Sequence, residues 1–253
     1  MKALSIQSLP PKQDIQQGYT TKTSLEKVRS FLSENKKSFD RIENETGVSR
    51  EIVASLLWLE TLYGSPVLKT YPTLASLMSL AIFVNDDFRR WALPLVQKEA
   101  EKKYKSQESR AKSLGRKQKD WKSIDWDTRM KKIGLDWSEH VQAFFSIGEK
   151  LEWDQNKYIT IEGSWAGAIG YSQFMPSTLL PILGKKKYDL WRWEDAIELT
   201  SIELQKKGFS KDIEKSLKAY NSPSWYREII LSVYEKITEE SDKKKPLNVV
   251  HVL

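Results

Sequence analysis

Apolar residues recur along most of this chain at intervals of three and four, the period of helices that bury one face. The first 22 residues lack that pattern; with Pro10-Pro11 and several Gln and Thr they read as an extended arm. The period starts at Ser24, with Leu25, Val28, Phe31 and Leu32 on one face. A second helix follows Gly47. Ser49 stands at its N-cap position and Glu51 in its first turn, where a carboxylate meets the positive end of the helix dipole. Gly64 and Pro66 stop it. Residues 73–84 predict a buried helix, and 86–104 another that Pro94 kinks or restarts. Residues 137–151 read as an amphipathic helix, 163–176 as loop with a short helix, and 194–207, 212–220 and 223–239 as closing helices. No run of strict alternation and no internal repeat interrupts the series, so the class is mainly α. The chain divides into an arm (1–22), a helical body (23–240) and a C-terminal tail (241–253).

With 253 residues and 40% apolar content the chain is long enough for one large domain or two small ones. Its ten Trp, ten Tyr and eight Phe fit either a Trp-rich core or a groove lined for flat ligands such as sugar rings. The sequence has no Cys, which excludes disulfides, thiolate metal sites, a Cys nucleophile and a lipid-modified N-terminal Cys. His140 and His251 are its only histidines, leaving little for a Ser-His-Asp triad or a histidine metal site. No apolar run reaches the ~18 residues of a membrane span. Met1-Lys2-Ala3-Leu4-Ser5 lacks the apolar core of a signal peptide, so the protein is either cytoplasmic or exported with its signal already removed. The net charge of +7 is concentrated: residues 101–122 carry +6 and the rest of the chain +1. Such a stretch suits a polyanion, nucleic acid included, or a solvated helix or loop. An exposed, inserted basic segment over 101–136 is expected.

Three segments carry candidate chemistry. In Ile52-Val53-Ala54-Ser55-Leu56-Leu57-Trp58-Leu59-Glu60-Thr61-Leu62-Tyr63 the only charge is Glu60. A helix apolar nearly all round is buried on most faces, so this carboxylate is paired, protonated or facing a cleft. Desolvation raises a carboxyl pKa, and a raised carboxyl is what a glycosidase needs as general acid. On composition alone, an ion pair with an Arg or a solvated helix end is the favoured account of Glu60. The second segment runs Gly163-Ser164-Trp165-Ala166-Gly167-Ala168-Ile169-Gly170-Tyr171-Ser172-Gln173-Phe174-Met175-Pro176. Its small residues allow close backbone approach. Trp165, Tyr171 and Phe174 offer stacking faces, and Ser164 and Gln173 hydrogen-bonding groups suited to an acetamido sugar. A tight structural turn would look the same. The third, Lys218-Ala219-Tyr220-Asn221-Ser222-Pro223-Ser224-Trp225-Tyr226, alone reads as a junction between two helices.

Together and in this order, the three segments resemble the lytic transglycosylases, most closely the membrane-bound lytic transglycosylase B type, glycoside hydrolase family 103. Leu59-Glu60-Thr61-Leu62-Tyr63-Gly64 is similar to that family's Val-Glu-Thr-x-aromatic-Gly around its catalytic glutamate. Gly163 to Ala168 and Gln173-Phe174-Met175-Pro176-Ser177 resemble its longest signature, and Tyr220-Asn221 with Tyr226 its third; Thr73-Leu74-Ala75 and Arg89-Arg90 fit the stretch between. The likeness spans roughly residues 25–240 and implies a lysozyme-like, mainly α fold with a long substrate groove. It implies Glu60 as catalytic acid and base, Ser164 and Gln173 as ligand-positioning residues, Tyr220 and Asn221 beside the glutamate, and Tyr226 in the cleft. It implies peptidoglycan glycan strands as partner and substrate, no cofactor, and work in the periplasm or otherwise outside the cytoplasm. The implied reaction cleaves the β-1,4 bond between N-acetylmuramic acid and N-acetylglucosamine with a single Glu, forming the 1,6-anhydro product.

Two departures stand out. The gap from Glu60 to Ser164 is longer than the family's usual one, and the basic segment lies inside it. Some relatives carry a calcium loop of EF-hand type after the Pro-Ser motif, where this chain reads Leu183-Gly184-Lys185-Lys186-Lys187-Tyr188-Asp189-Leu190-Trp191. Calcium takes several oxygen ligands, which three lysines do not supply, so no metal is expected. Asp154 and Glu162 keep two-carboxylate hydrolysis as the nearest alternative. A non-catalytic wall-glycan binder and a polyanion binder using 101–122 are the others. Contact of the basic segment with acidic peptide stems of peptidoglycan is expected; contact with nucleic acid is not.

Overall fold

A computed structural model describes residues 18–64, 70–113 and 120–243. In chain order the elements are α1 (Lys22–Glu34), α2 (Lys36–Thr46), α3 (Arg50–Thr61), β1 (Tyr71–Pro72), α4 (Thr73–Ala81), α5 (Asp86–Ser113), α6 (Trp126–Lys150), α7 (Gln155–Thr160), β2 (Glu162–Gly163), α8 (Pro176–Leu179), α9 (Trp193–Lys206), α10 (Ile213–Tyr220) and α11 (Ser224–Lys243). Short 3-10 turns lie at Ile82–Val84, Trp121–Ser123 and Leu180–Ile182. The described residues form two compact units: 70–169 with 174–181, and 18–64 with 170–173 and 182–243. The first seventeen residues of the expected arm and residues 244–253 of the expected tail lie outside the described residues.

The second unit is built around α3, in which every residue from Ile52 to Trp58 is buried. Leu25, Val28 and Phe31 of α1, Ile197 and Leu204 of α9, and Ile229, Ile230, Val233 and Ile237 of α11 share its core. α1 begins at Lys22, capped by Thr21, whose Oγ1 accepts the Ser24 N–H at 3.1 Å. α2 carries no strong periodic signal, because only Phe39 and Ile42 of its eleven residues are buried. Ser49 occupies the N-cap position of α3 but does not cap it: its hydroxyl donates to Glu51 Oε2 at 2.7 Å. The Arg50 N–H instead donates to Glu43 Oε1 at 3.1 Å, so a carboxylate of α2 meets the start of α3. α3 ends at Thr61, before Gly64, because Leu62 and Tyr63 already turn into the left-handed region (φ 48° and 52°).

In the first unit the expected buried helix over 73–84 is shorter and one-sided. α4 buries Thr73, Leu77, Leu80 and Ala81, while Met78, Ile82 and Val84 are exposed. Pro94 neither stops nor restarts α5, which runs unbroken to Ser113. The basic stretch is therefore in part the end of a long helix. α6 starts at Trp126, eleven residues before the expected helix, with Asp125 Oδ1 accepting the Thr128 N–H at 3.1 Å. Trp126 and Met130 are buried with Leu80, Phe83, Ala92 and Val96, so the expected insertion also supplies core. β1 and β2 pair antiparallel, Tyr71 with Gly163 and Pro72 with Glu162, and single bridges join Gly163 to Ile169 and Ile169 to Phe174. Strands this short leave no alternation to read.

Candidate active site

The last turn of α3 carries Glu60, and the first turn of α11 brings Tyr226 against it. The Tyr226 hydroxyl donates to Glu60 Oε1. The Tyr220 ring, at the end of α10, lies parallel to that of Tyr226 with centroids 6.4 Å apart. Glu60 as a residue is only partly buried, yet protein surrounds its carboxyl closely enough to strip most of its hydration. Burial raises its pKa from 4.5 to about 7, and the Tyr226 hydrogen bond pulls the other way. Among the described residues Glu60 makes no ion pair, which removes the expected alternative of an Arg partner. Tyr220 and Tyr226 are both pushed well above the usual phenol range, first by burial and then by the Glu60 charge. Both therefore stay neutral hydroxyls.

Residues 170–173 form a tight turn in the same unit. Tyr171 N–H donates to Leu190 O at 2.9 Å, and Gln173 N–H to Gly170 O at 3.1 Å. Gly170 takes φ 69°, and a Cβ there would sit 2.7 Å from Leu190 O, so the chain passes too close for any side chain. The Ser172 hydroxyl donates to Ala196 O at 3.2 Å, and the Tyr220 hydroxyl to Ser172 O at 3.4 Å. These bonds tie the turn to α9 and to the tyrosine pair. Gln173 also has a left-handed backbone (φ 49°), and its Nε2 donates to Gly170 O at 2.8 Å. The Tyr171 ring stacks on Trp193 (centroids 3.8 Å apart, 14° between planes), which covers one of its faces. Asn221 follows α10 in extended conformation, half-buried.

Ser164 and Phe174 belong to the other unit. Ser164 Oγ accepts the N–H groups of Ala168 at 3.0 Å and Ala166 at 3.3 Å, so both its lone pairs are used and only its O–H remains to donate. Phe174 is 4% exposed and is core. This corrects its expected role: a ring enclosed by protein presents no face to a sugar. Trp165, by contrast, is exposed. The candidate second carboxylates both have structural work. Asp154 caps α7, accepting the Lys157 N–H at 2.7 Å, and Glu162 accepts from the Thr70 hydroxyl at 2.5 Å.

Two features escape the sequence pattern. Tyr19, inside the expected arm, lies close enough to Glu60 for its charge to help raise the phenol pKa, after burial. A lone aromatic outside any periodic run carries no signal of this. Tyr63 stacks on Phe31 (4.0 Å, 17°), lies edge-on to Trp193 (5.9 Å, 90°), and donates its hydroxyl to Ala54 O at 2.9 Å. That packing holds the left-handed turn directly after Glu60. Among the described residues no group of three or more His, Asp or Glu is arranged to hold a metal ion.

The family described as Transglycosylase SLT domain matches residues 11–229. The chain belongs to the transglycosylase SLT domain family. It is accordingly a lytic transglycosylase, an enzyme acting on peptidoglycan, with the lysozyme-like fold of that group. Solved structures with the same fold include the Escherichia coli lytic transglycosylase Slt35 in complex with bulgecin A, at 14% identity and TM-score 0.64, covering 92% of this chain and 81% of that one. Slt35 in complex with calcium matches at 14% identity and TM-score 0.62, covering 90% and 78%. The soluble lytic transglycosylase SltB1 of Pseudomonas aeruginosa matches at 13% identity and TM-score 0.66, covering 96% and 90%. No curated protein matches the sequence. Lytic transglycosylases act on cell-wall peptidoglycan, a substrate outside the cytoplasm, and no helix among the described residues is long and apolar enough to cross a membrane.

Proposed function

We propose that Glu60 is the single acid and base of a lytic transglycosylase of the glycoside hydrolase family 103 type, making 1,6-anhydromuramyl products. The observation that carries this is the Glu60 carboxyl, raised to about 7 by burial and held by the neutral Tyr226 hydroxyl. Near neutral pH such a group is populated in both forms, as one residue playing both roles requires. Protonated Glu60 gives its proton to the oxygen linking N-acetylmuramic acid to N-acetylglucosamine, and the C1–O4 bond breaks. The substrate's own N-acetyl oxygen supports the positive charge at C1, the task a second carboxylate performs in ordinary retaining enzymes. The Glu60 carboxylate then takes the proton from the muramyl C6 hydroxyl, O6 bonds to C1, and Glu60 is again protonated. No water is consumed.

Tyr226 positions Glu60, and Tyr220 and Asn221 supply neutral hydrogen-bonding groups for the acetamido group. Ser164 retains one O–H donor suited to a carbonyl acceptor on the glycan. Tyr171 and Gln173 shape the turn beside the tyrosine pair. The structural bonds of Asp154 and Glu162 favour the single-carboxylate route over two-carboxylate hydrolysis. The enzyme works outside the cytoplasm, and its basic segment meets the acidic peptide stems of the wall. Mass spectrometry of products from purified sacculi tests the chemistry. The anhydro route gives muramyl ends lighter by one water than hydrolysis does, and Glu60→Gln abolishes their formation. Hydrated ends, or cleavage surviving in Glu60→Gln, would overturn the reading.

The loop after the Pro-Ser motif leads into α9, whose Asp195 and Glu198 are already bound by cationic side chains of the protein.

A further inference from the structure

Asp195 and Glu198 stand three residues apart on α9 and so share one helix face. The Asp195 side chain is 0% exposed. A buried carboxylate without a counter-charge is strongly destabilising, so something positive belongs here. The Lys186 ammonium lies 3.0 Å from Asp195 Oδ1 and 2.8 Å from Glu198 Oε2, bridging the two. The remaining positions are filled as well. Asp195 Oδ2 accepts the Asp189 N–H at 2.9 Å and Arg192 at 2.9 Å. Glu198 Oε1 accepts the Tyr188 hydroxyl at 2.9 Å, and Oε2 also accepts Arg41 at 2.9 Å. Asp195 Oδ1 faces the Lys186 ammonium; despite burial, the Asp189 N–H, Arg192 and Lys186 together hold the carboxyl below the usual carboxylate range.

We propose that the Lys186 ammonium is a built-in cation for the 183–192 loop, bridging Asp195 and Glu198 where a metal-binding version of this loop would seat a divalent ion. Calcium needs about six to eight oxygen ligands, and here the gap between the two carboxylates is taken by nitrogen donors. Three cationic side chains meeting two carboxylates also repel a further dication. The loop that Lys186 anchors carries Leu190 and leads into Trp193, on which the Tyr171 turn rests. Lys186 is thus a positioning residue acting through that turn, and its role does not depend on the chemistry assigned to Glu60.

Thermal melting of the full chain, in EDTA and in millimolar calcium chloride matched for ionic strength, tests this. The wild type melts at the same temperature in both. Lys186→Met keeps the stem but not the charge, melts several degrees lower in EDTA, and recovers as calcium is added, because a ligand that binds only the folded state raises stability with its concentration. Lys186→Met combined with Glu198→Gln loses that recovery. A wild type stabilised by calcium overturns the proposal. So does a Lys186→Met chain that melts like the wild type in EDTA, or one that melts lower and ignores calcium. If Lys186→Met does not fold, calorimetric titration of the wild type with calcium decides: no binding heat supports the proposal, and saturable binding refutes it.

Discussion

A group that must give a proton and then take one works best when its pKa lies near the surrounding pH, and burial carries Glu60 to about 7 against the opposing pull of the Tyr226 hydrogen bond. The substrate-ready form is the protonated one, so kcat/KM on glycan strands is expected to fall as pH rises through 7. In Tyr226→Phe the hydrogen bond that lowers this pKa is gone, so the falling limb should move to higher pH; a limb that stays put or moves lower would separate Tyr226 from Glu60. The same pKa has a consequence for stability. The folded chain holds the proton more tightly than the unfolded chain, whose Glu titrates near 4.5. Stability is therefore full below pH 4.5, declines as pH rises toward 7, and is fully reduced above it, by about 3 kcal/mol. Glu60→Gln removes this cost while keeping an acceptor for Tyr226. It should be inactive yet melt several degrees above the wild type at pH 8, with little difference at pH 4.5. Equal melting at pH 8 would mean that the carboxyl is better hydrated than its surroundings imply.

At the scale of elements, the turn at 170–173 is where a small change should do most damage. Gly170→Ala forces a Cβ to 2.7 Å from Leu190 O and puts a side chain at φ 69°. The cost is about 1–3 kcal/mol, and because the turn is tied to Tyr220 and carries Gln173, kcat/KM should drop with it. Gly184→Ala, with open space around its Cβ, is the control and should change neither melting nor activity. How far such elements could be read in advance depended on how they bury their apolar residues. α1, α3, α9, α10 and α11 contribute to one core and show the helical period, so their positions were legible. α2 was not, because Phe39 and Ile42 are a stripe of two in a charged helix. The start of α6 was masked by neighbouring lysines, although Trp126 and Met130 seal a core beneath them. Glu60 was legible as the one charge in the apolar run from Ile52 to Tyr63. Tyr19, and the packing of Tyr63 that holds the turn after Glu60, depend on contacts across the chain that no local pattern encodes.

Across the whole molecule, chemistry and charge are separated along the chain. Tyr19, Tyr220 and Tyr226, which act on Glu60, and the 170–173 turn bonded to Tyr220 all lie in one unit, whereas the excess of positive charge lies within 101–122. The signature from Gly163 to Ser177 contributes to both units, leaving one at Gly170 and re-entering it at Phe174. Gly163, Gly167, Ala168, Ile169, Gly170 and Phe174 of this signature are buried, whereas Trp165 is exposed. The basic segment has no such constraint on its exposed face. Lys102, Lys105 and Lys122 are exposed, and the Lys105–Glu101 pair at 2.8 Å is a surface one of small worth. Under the proposed contact with the wall, their effect is on association with an anionic surface rather than on folding. Reversing all three to Glu brings the segment from +6 to neutral. Melting temperature should hardly change. At low salt kcat/KM on sacculi should fall several-fold through KM, with kcat preserved. The difference should vanish toward ~1 M salt, where the screening length shrinks to ~3 Å. The wild type alone should show the same trend, losing affinity for sacculi as salt rises. A variant matching the wild type at low salt would show that the segment does not meet the wall at all. One whose loss persists at high salt would show that it works through shape rather than charge.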